Sequence, residues 1–193
     1  MSKQERRPIA FLSCSLRPED EEFVNFVARL CRHFGFEPTG TVGKYQAAPE
    51  PIWKQMIDGV KSCDCVVLAA TPRYIQQDVN NSSSAGRGIS EMLHVEMGMA
   101  AIENKPVLVF VQKGTNVGSF LSQYVQYIEI DMRSKADINR KAPLIANYFR
   151  SAFSIIERNW SEKSKSDLFK ASAAVLATIG AINVLDALFS DKK

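Results

Sequence analysis

Histidine and cysteine are scarce in this 193-residue chain, and so is net charge. Only His33 and His94 carry imidazoles, and the four cysteines, Cys14, Cys31, Cys63 and Cys65, form no CxxC pair. No zinc-ligand spacing results, and the thiols point to a reduced, metal-free protein. Cys63 and Cys65 flank Asp64 at the start of a strand and are expected on the same side of it. The net charge of +3 comes from scattered basic residues with no arginine stripe and no interleaved aromatics, which excludes nucleic acid as an evident partner. The polar N-terminus Met1–Pro8 has no secretory pattern, so a cytoplasmic location is expected. No Asp, His or Cys array suggests other hydrolytic chemistry.

What the chain does contain is a run of alternating elements. Ile9–Ser13 reads as a buried strand, and a helix follows with Phe23, Phe26, Val27, Leu30 and Phe34 on one face, ending at Gly35. Residues 36–42 form a short second strand, and Ile52–Lys61 a helix with Trp53, Met56, Ile57 and Val60 inward. Residues 64–70 make an apolar third strand. Asn80–Gly88 is the most loop-like stretch in the sequence. Ser90 caps a helix with Met92, Leu93, Val95 and Met99 inward, and residues 103–106 end it. Val107–Val111 is a fourth buried strand, and Tyr127–Asp131 an alternating edge strand. Strands alternating with helices predict an α/β domain built on a parallel sheet.

In such sheets ligands bind beyond the carboxyl ends of the strands. That edge gathers Ser13, Ser15 and Arg17 after the first strand, Thr71, Arg73 and Tyr74 after the third, and Gly114, Thr115 and Asn116 after the fourth. Hydroxyls, loop amides and arginines together suit a phosphorylated or sugar-bearing small molecule. Short strand-to-helix loops are also commonly rich in these residues for purely structural reasons. Glu96 sits nearby on its helix among Met92, Leu93, Met99 and Ala100. Periodicity alone leaves two placements open. Glu96 either points to water at the helix edge, or is buried with a raised pKa.

From Lys135 the character changes. Asn147–Trp160 is amphipathic, residues 161–167 are a polar break, and Leu168–Phe189 is small and apolar with Ala173, Ala177 and Ala181 four apart. Between Lys170 and Asp186 only fifteen residues are uncharged, short of the ~20 a spanning helix needs. A helical hairpin or oligomerisation element is preferred over a membrane segment.

Two stretches resemble known families. Ile89-Ser90-Glu91 through Glu96-Met-Gly-Met-Ala100 to Lys105-Pro-Val107 is similar to nucleoside 2-deoxyribosyltransferases, where a Glu-x-Gly-x-Ala helix precedes a Lys-Pro-Val strand. Residues 9–20, and Val66–Ile75 ahead of the Glu96 helix, resemble the first and third strands of TIR domains with the loops that follow. The likeness covers roughly residues 8–131. It implies an α/β, flavodoxin-like three-layer sandwich with a central five-stranded parallel sheet (residues 1–134), followed by C-terminal helices (135–193).

The resemblance also implies cleavage of a ribose–base bond. Glu96 matches the family carboxylate, as oxocarbenium stabiliser or nucleophile, and Ser13, Ser15, Arg17, Thr71, Arg73, Tyr74, Ser90, Gly114 and Thr115 are candidate substrate contacts. The deoxyribosyltransferase pattern has an aspartate where Ser90 stands, and the TIR pattern a Trp-Cys pair absent here. The first departure argues for NAD over exchange between deoxynucleosides. NAD is then a substrate, with no further cofactor, and a homo-oligomer through the C-terminal helices is expected. Two other functions stay open: a non-catalytic nucleotide sensor or scaffold, and a nucleoside or nucleotide N-glycosidase. Glu91 is the rival carboxylate, but its pairing with His94 on the surface is the plainer expectation.

Overall fold

The strands sort by composition: the three apolar ones lie at the centre of a sheet, covered on both faces, and Glu37–Thr39 and Tyr127–Ile130, which are partly polar, lie at its edges. In the computed structural model, which describes residues 6–40, 49–78 and 81–163, five of them form one parallel sheet. These are β1 (Ile9–Cys14), β2 (Glu37–Thr39), β3 (Cys65–Ala70), β6 (Val107–Gln112) and β7 (Tyr127–Ile130), in the order β2-β1-β3-β6-β7. Counting only these strands, the order is 2-1-3-4-5, the flavodoxin-like arrangement. Register runs Leu12 beside Val67 and Val67 beside Leu108 across the centre.

Helices α1 (Glu21–His33) and α5 (Lys135–Lys163) cover one face, burying Phe23, Phe26, Leu30, Phe149 and Ile156 against Leu12, Val67 and Phe110. Helices α2 (Ile52–Ser62), α3 (Glu91–Ile102) and α4 (Gly118–Tyr124) cover the other, where Val60, Leu93, Met97 and Leu121 meet Leu68, Val109 and Val111. The inward face read for α1 is the buried one, Phe34 included. On β1, Phe11 lies so close to Gly40 and Gly59 that a Cβ at either would come within 2.4 Å of its ring, so both glycines let β2 and α2 approach.

Several expectations are corrected. The stretch read as most loop-like is half of an antiparallel ribbon, β4 (Tyr74–Asp78) with β5 (Asn81–Gly88). The sequence of β5, Asn-Ser-Ser-Ser-Ala-Gly-Arg-Gly, carries no apolar alternation, so no periodicity betrays it. Cys63 and Cys65 point to opposite sides of the sheet, because Cys63 is the residue that caps α2 and only Cys65 belongs to the strand. Burial pushes their thiols and that of Cys31 well up, to about 12 for Cys31 and about 11 for Cys63, so these three are inert. Trp53, Met92 and Val95, read as inward, are exposed.

The described residues from Lys135 onward pack on this same sheet. As far as Lys163 they form one helix that is a layer of the sandwich. Tyr148 of α5 accepts a hydrogen bond from the Val109 amide (3.1 Å) and donates to the Gln126 carbonyl (2.6 Å), where β7 has not yet begun to pair. Tyr148→Phe strands that buried amide, and is expected to cost roughly 1–2 kcal/mol in urea unfolding. Residues 164–193, and with them the apolar run Leu168–Phe189, lie outside the described residues. None of the described helices is long and apolar enough to cross a membrane.

Candidate active site

At the point where the strand order reverses, between β1 and β3, the chain leaves the sheet in opposite directions. After β1 it turns into α1 on one face, and the β3 side feeds α3 on the other. That divergence opens a crevice at the carboxyl edge. Here it is a cavity of about 180 Å³, below the ~300–1,000 Å³ of pockets that enclose a drug-sized ligand.

Glu96 forms its floor. Leu93, Met97 and Ala100 fix the helix register by packing on the sheet, and Glu96, three residues after Leu93, is carried inward with them. Its side chain is turned toward the end of β1, and the residue is only 7 % exposed. The Ser13 hydroxyl donates a hydrogen bond to Glu96 Oε2. Burial raises the carboxyl pKa from 4.5 to about 7, and the Ser13 hydrogen bond works against that rise. Of the two placements left open by periodicity, the buried one holds.

Ser13, Ser15, Thr71, Arg73, Ser90 and Glu96 all line the cavity. Ser13 and Thr71 are buried, and Arg73 is exposed at the mouth. Ser90 caps α3, accepting from the Met92 amide at 3.3 Å. Ser15 accepts from the Arg17 amide at 3.2 Å. Arg17 does not reach the cavity. Its guanidinium is held by Asp20 (2.7 Å) and Glu19 (3.4 Å) and donates to the Pro72 carbonyl, so it ties the loop after β1 to the loop after β3. Its charge is spent on that tie, and its part is to position the two loops.

Three further candidates are kept apart from the cavity. Tyr74 opens the ribbon, half-exposed, with the Arg73 guanidinium 6.0 Å from its ring. Gly114 and Thr115 belong to the loop after β6, which supports the far side of the ribbon: the Asn116 amide donates to the Arg87 carbonyl at 2.7 Å, and Gly88 bridges to Asn116. The Arg73 amide in turn donates to the Gly88 carbonyl at 2.5 Å, so the ribbon is clamped between the two loops. The apolar wall was not foreseen. Leu16, Ile52, Met56, Met92 and Leu93 make most of it, with Cys14 beside Ser13. The start of α2, placed at the carboxyl edge by the proline before it, was the available signal.

No family model and no curated protein matches the chain. Among solved structures it is similar to the Clostridium botulinum CMP N-glycosidase BcmB, at 16 % identity and a TM-score of 0.45, over 70 % of this chain and 98 % of that one. It is also similar to a flavodoxin-like domain from a Synechococcus species, at 14 % identity and a TM-score of 0.40, over 81 % and 99 %. Likenesses this distant carry no argument about activity, and the assignment of the fold stands on the strand order.

Proposed function

We propose that this chain cleaves an N-glycosidic bond, and that NAD is its substrate, hydrolysed or cyclised with release of nicotinamide. One observation carries the reading: Glu96, buried at the floor of the cavity, is the one carboxyl group among the described residues that line it. In NAD the nicotinamide ring nitrogen is already cationic. When its bond to C1′ breaks, the bonding pair returns to that nitrogen and the base leaves neutral, needing no acid. The positive charge passes to C1′ and O4′ of the ribose, where a buried carboxylate stabilises it. Water then attacks C1′ and gives up a proton, or in cyclisation a nitrogen of the same molecule's adenine attacks. Arg73 at the mouth suits a phosphate lying outside the sugar pocket.

A second reading is favoured by the pKa of about 7, which supplies protonated Glu96 near neutrality. A neutral nucleoside or nucleotide needs its base protonated as it leaves, and Glu96 would then be the acid. The direction of the pH profile separates the two. With NAD incubated at high protein concentration and products separated by chromatography, nicotinamide release is expected, with kcat/KM rising through about pH 7. Ser13→Ala removes the hydrogen bond that favours the anion and is expected to move this rise to higher pH. A profile that falls through the same range, with nucleosides consumed, supports the acid role. Binding of NAD with neither substrate consumed supports a sensor.

A further inference from the structure

The hydroxyls that line the cavity differ in what they already hold. Ser13 donates to Glu96, Ser15 accepts from the Arg17 amide at 3.2 Å, and Ser90 accepts from the Met92 amide at 3.3 Å. Thr71 lines the same cavity and is only 4 % exposed, yet among the described residues its side chain makes no hydrogen bond. A buried hydroxyl without a partner is costly, and folded proteins rarely keep one. The Thr115 hydroxyl, also without a partner, is sealed away from solvent, whereas that of Thr71 is not, so a group entering the cavity can reach it.

The chain also fixes where that hydroxyl sits. Ala70, just before it, is the last residue of β3 and is paired with Val111. Pro72, just after it, has its carbonyl held by the Arg17 guanidinium. A residue before proline is confined to extended backbone, and a β-branched side chain has few rotamers. Thr71 is held on both sides while its hydroxyl stays unspent, the arrangement of a contact formed in advance of its ligand.

We propose that the Thr71 hydroxyl binds a hydroxyl of the ligand's sugar, so that the cavity selects the hydroxylated sugar over the form that lacks this group. The inference rests on the reading that Glu96 faces C1′. With C1′ at Glu96, the 2′- and 3′-hydroxyls are the sugar groups that a side chain of the same cavity meets. A threonine hydroxyl both donates and accepts, as does a sugar hydroxyl, so the bond can run in either direction. Removing either partner leaves the other unpaired in a buried place, which is how a site rejects an analogue that is short of one hydroxyl.

Thr71→Val keeps the shape of the side chain and removes its oxygen, and Thr71→Ser keeps the oxygen. Nicotinamide release is measured for the full-length wild type and both variants, with NAD and with NAD lacking the 2′- or the 3′-hydroxyl on the nicotinamide ribose. With NAD, kcat/KM is expected to fall about 10-fold in Thr71→Val and to be largely kept in Thr71→Ser. With one of the two deoxy forms, wild type and Thr71→Val should agree within about twofold, and that form names the hydroxyl that Thr71 binds. Stability in urea should be no lower in Thr71→Val, and a clear loss would show that the hydroxyl serves the fold and would overturn the proposal. An equal fall in kcat/KM on all three substrates would overturn it in favour of a contact to the attacking water. No fall on any of them would overturn it and leave the glycosidic reading standing. If NAD is bound and not cleaved, the same comparison is made in Kd. Agreement there would keep the contact while the reading of the reaction fails, and NAD neither bound nor cleaved would overturn both.

Discussion

Glu96→Gln is expected to lower the rate of N-glycosidic cleavage by about 10²–10⁴-fold, the usual range for loss of a positioned acid or base, with KM changed little. The amide keeps the size of the carboxyl and can still accept from Ser13 through its oxygen. Packing against Leu93 and Met97 is therefore preserved, and the lost rate reports charge. Glu96→Ala loses the same charge and also leaves a void beside the sheet, so it should match Glu96→Gln in rate and fall below it in stability. Nicotinamide release from NAD, followed by chromatography beside the wild type, is the measurement. Equal turnover in all three proteins would remove Glu96 from the chemistry. Loss of binding in place of turnover would turn the cavity into a sensor of its ligand.

The parts of this fold that were legible in the sequence are those where one physical cause acts alone. An apolar strand such as Val66–Ala70 can only lie inside a sheet, and α1 carries its phenylalanines on one side and charge on the other. Where causes compete, periodicity fails. Because apolar residues lie on most sides of α3, periodicity did not choose between Val95 and Met97 as the inward residue, and packing did. The ribbon is held by backbone bonds to Arg73 and Asn116, which leave no trace in residue type. Arg17 illustrates the limit for sites: its place at the carboxyl edge was visible in the sequence, but its capture by Asp20, three residues on, was not. Ser13 and Thr71 could be placed at one edge because the topology of a parallel sheet dictates where loops meet, whereas the burial of Glu96, on a helix, was left open until the packing of α3 decided it.

Stability should fall as pH rises through the range in which Glu96 gives up its proton. The carboxyl binds its proton more tightly in the folded chain, with a pKa of about 7 against 4.5. Between those values the folded state therefore holds more protons than the unfolded one, and the slope of unfolding free energy with pH is negative. This contribution is fully present below pH 4.5 and lost as pH rises through about 7. The difference in pKa corresponds to on the order of 3 kcal/mol. For a chain of this size that is a lowering of Tm on the order of 10 °C between pH 5 and pH 8. Asp131 and Asp137 are held below the usual carboxylate range by Lys113 and Lys141 and titrate at lower pH, so they leave this window to Glu96. Glu96→Gln cannot ionise. Its unfolding curve should lose this dependence, and the variant should be more stable than the wild type at pH 8 and show little of that advantage at pH 5. Thermal or urea unfolding of both proteins at the two pH values decides the matter. Identical pH dependence would mean that Glu96 is solvated in the folded chain. The expected outcome would show a side chain that weakens the fold at neutral pH. Ser13 offsets only part of that cost, so a carboxylate kept in this position has its use in what enters the cavity.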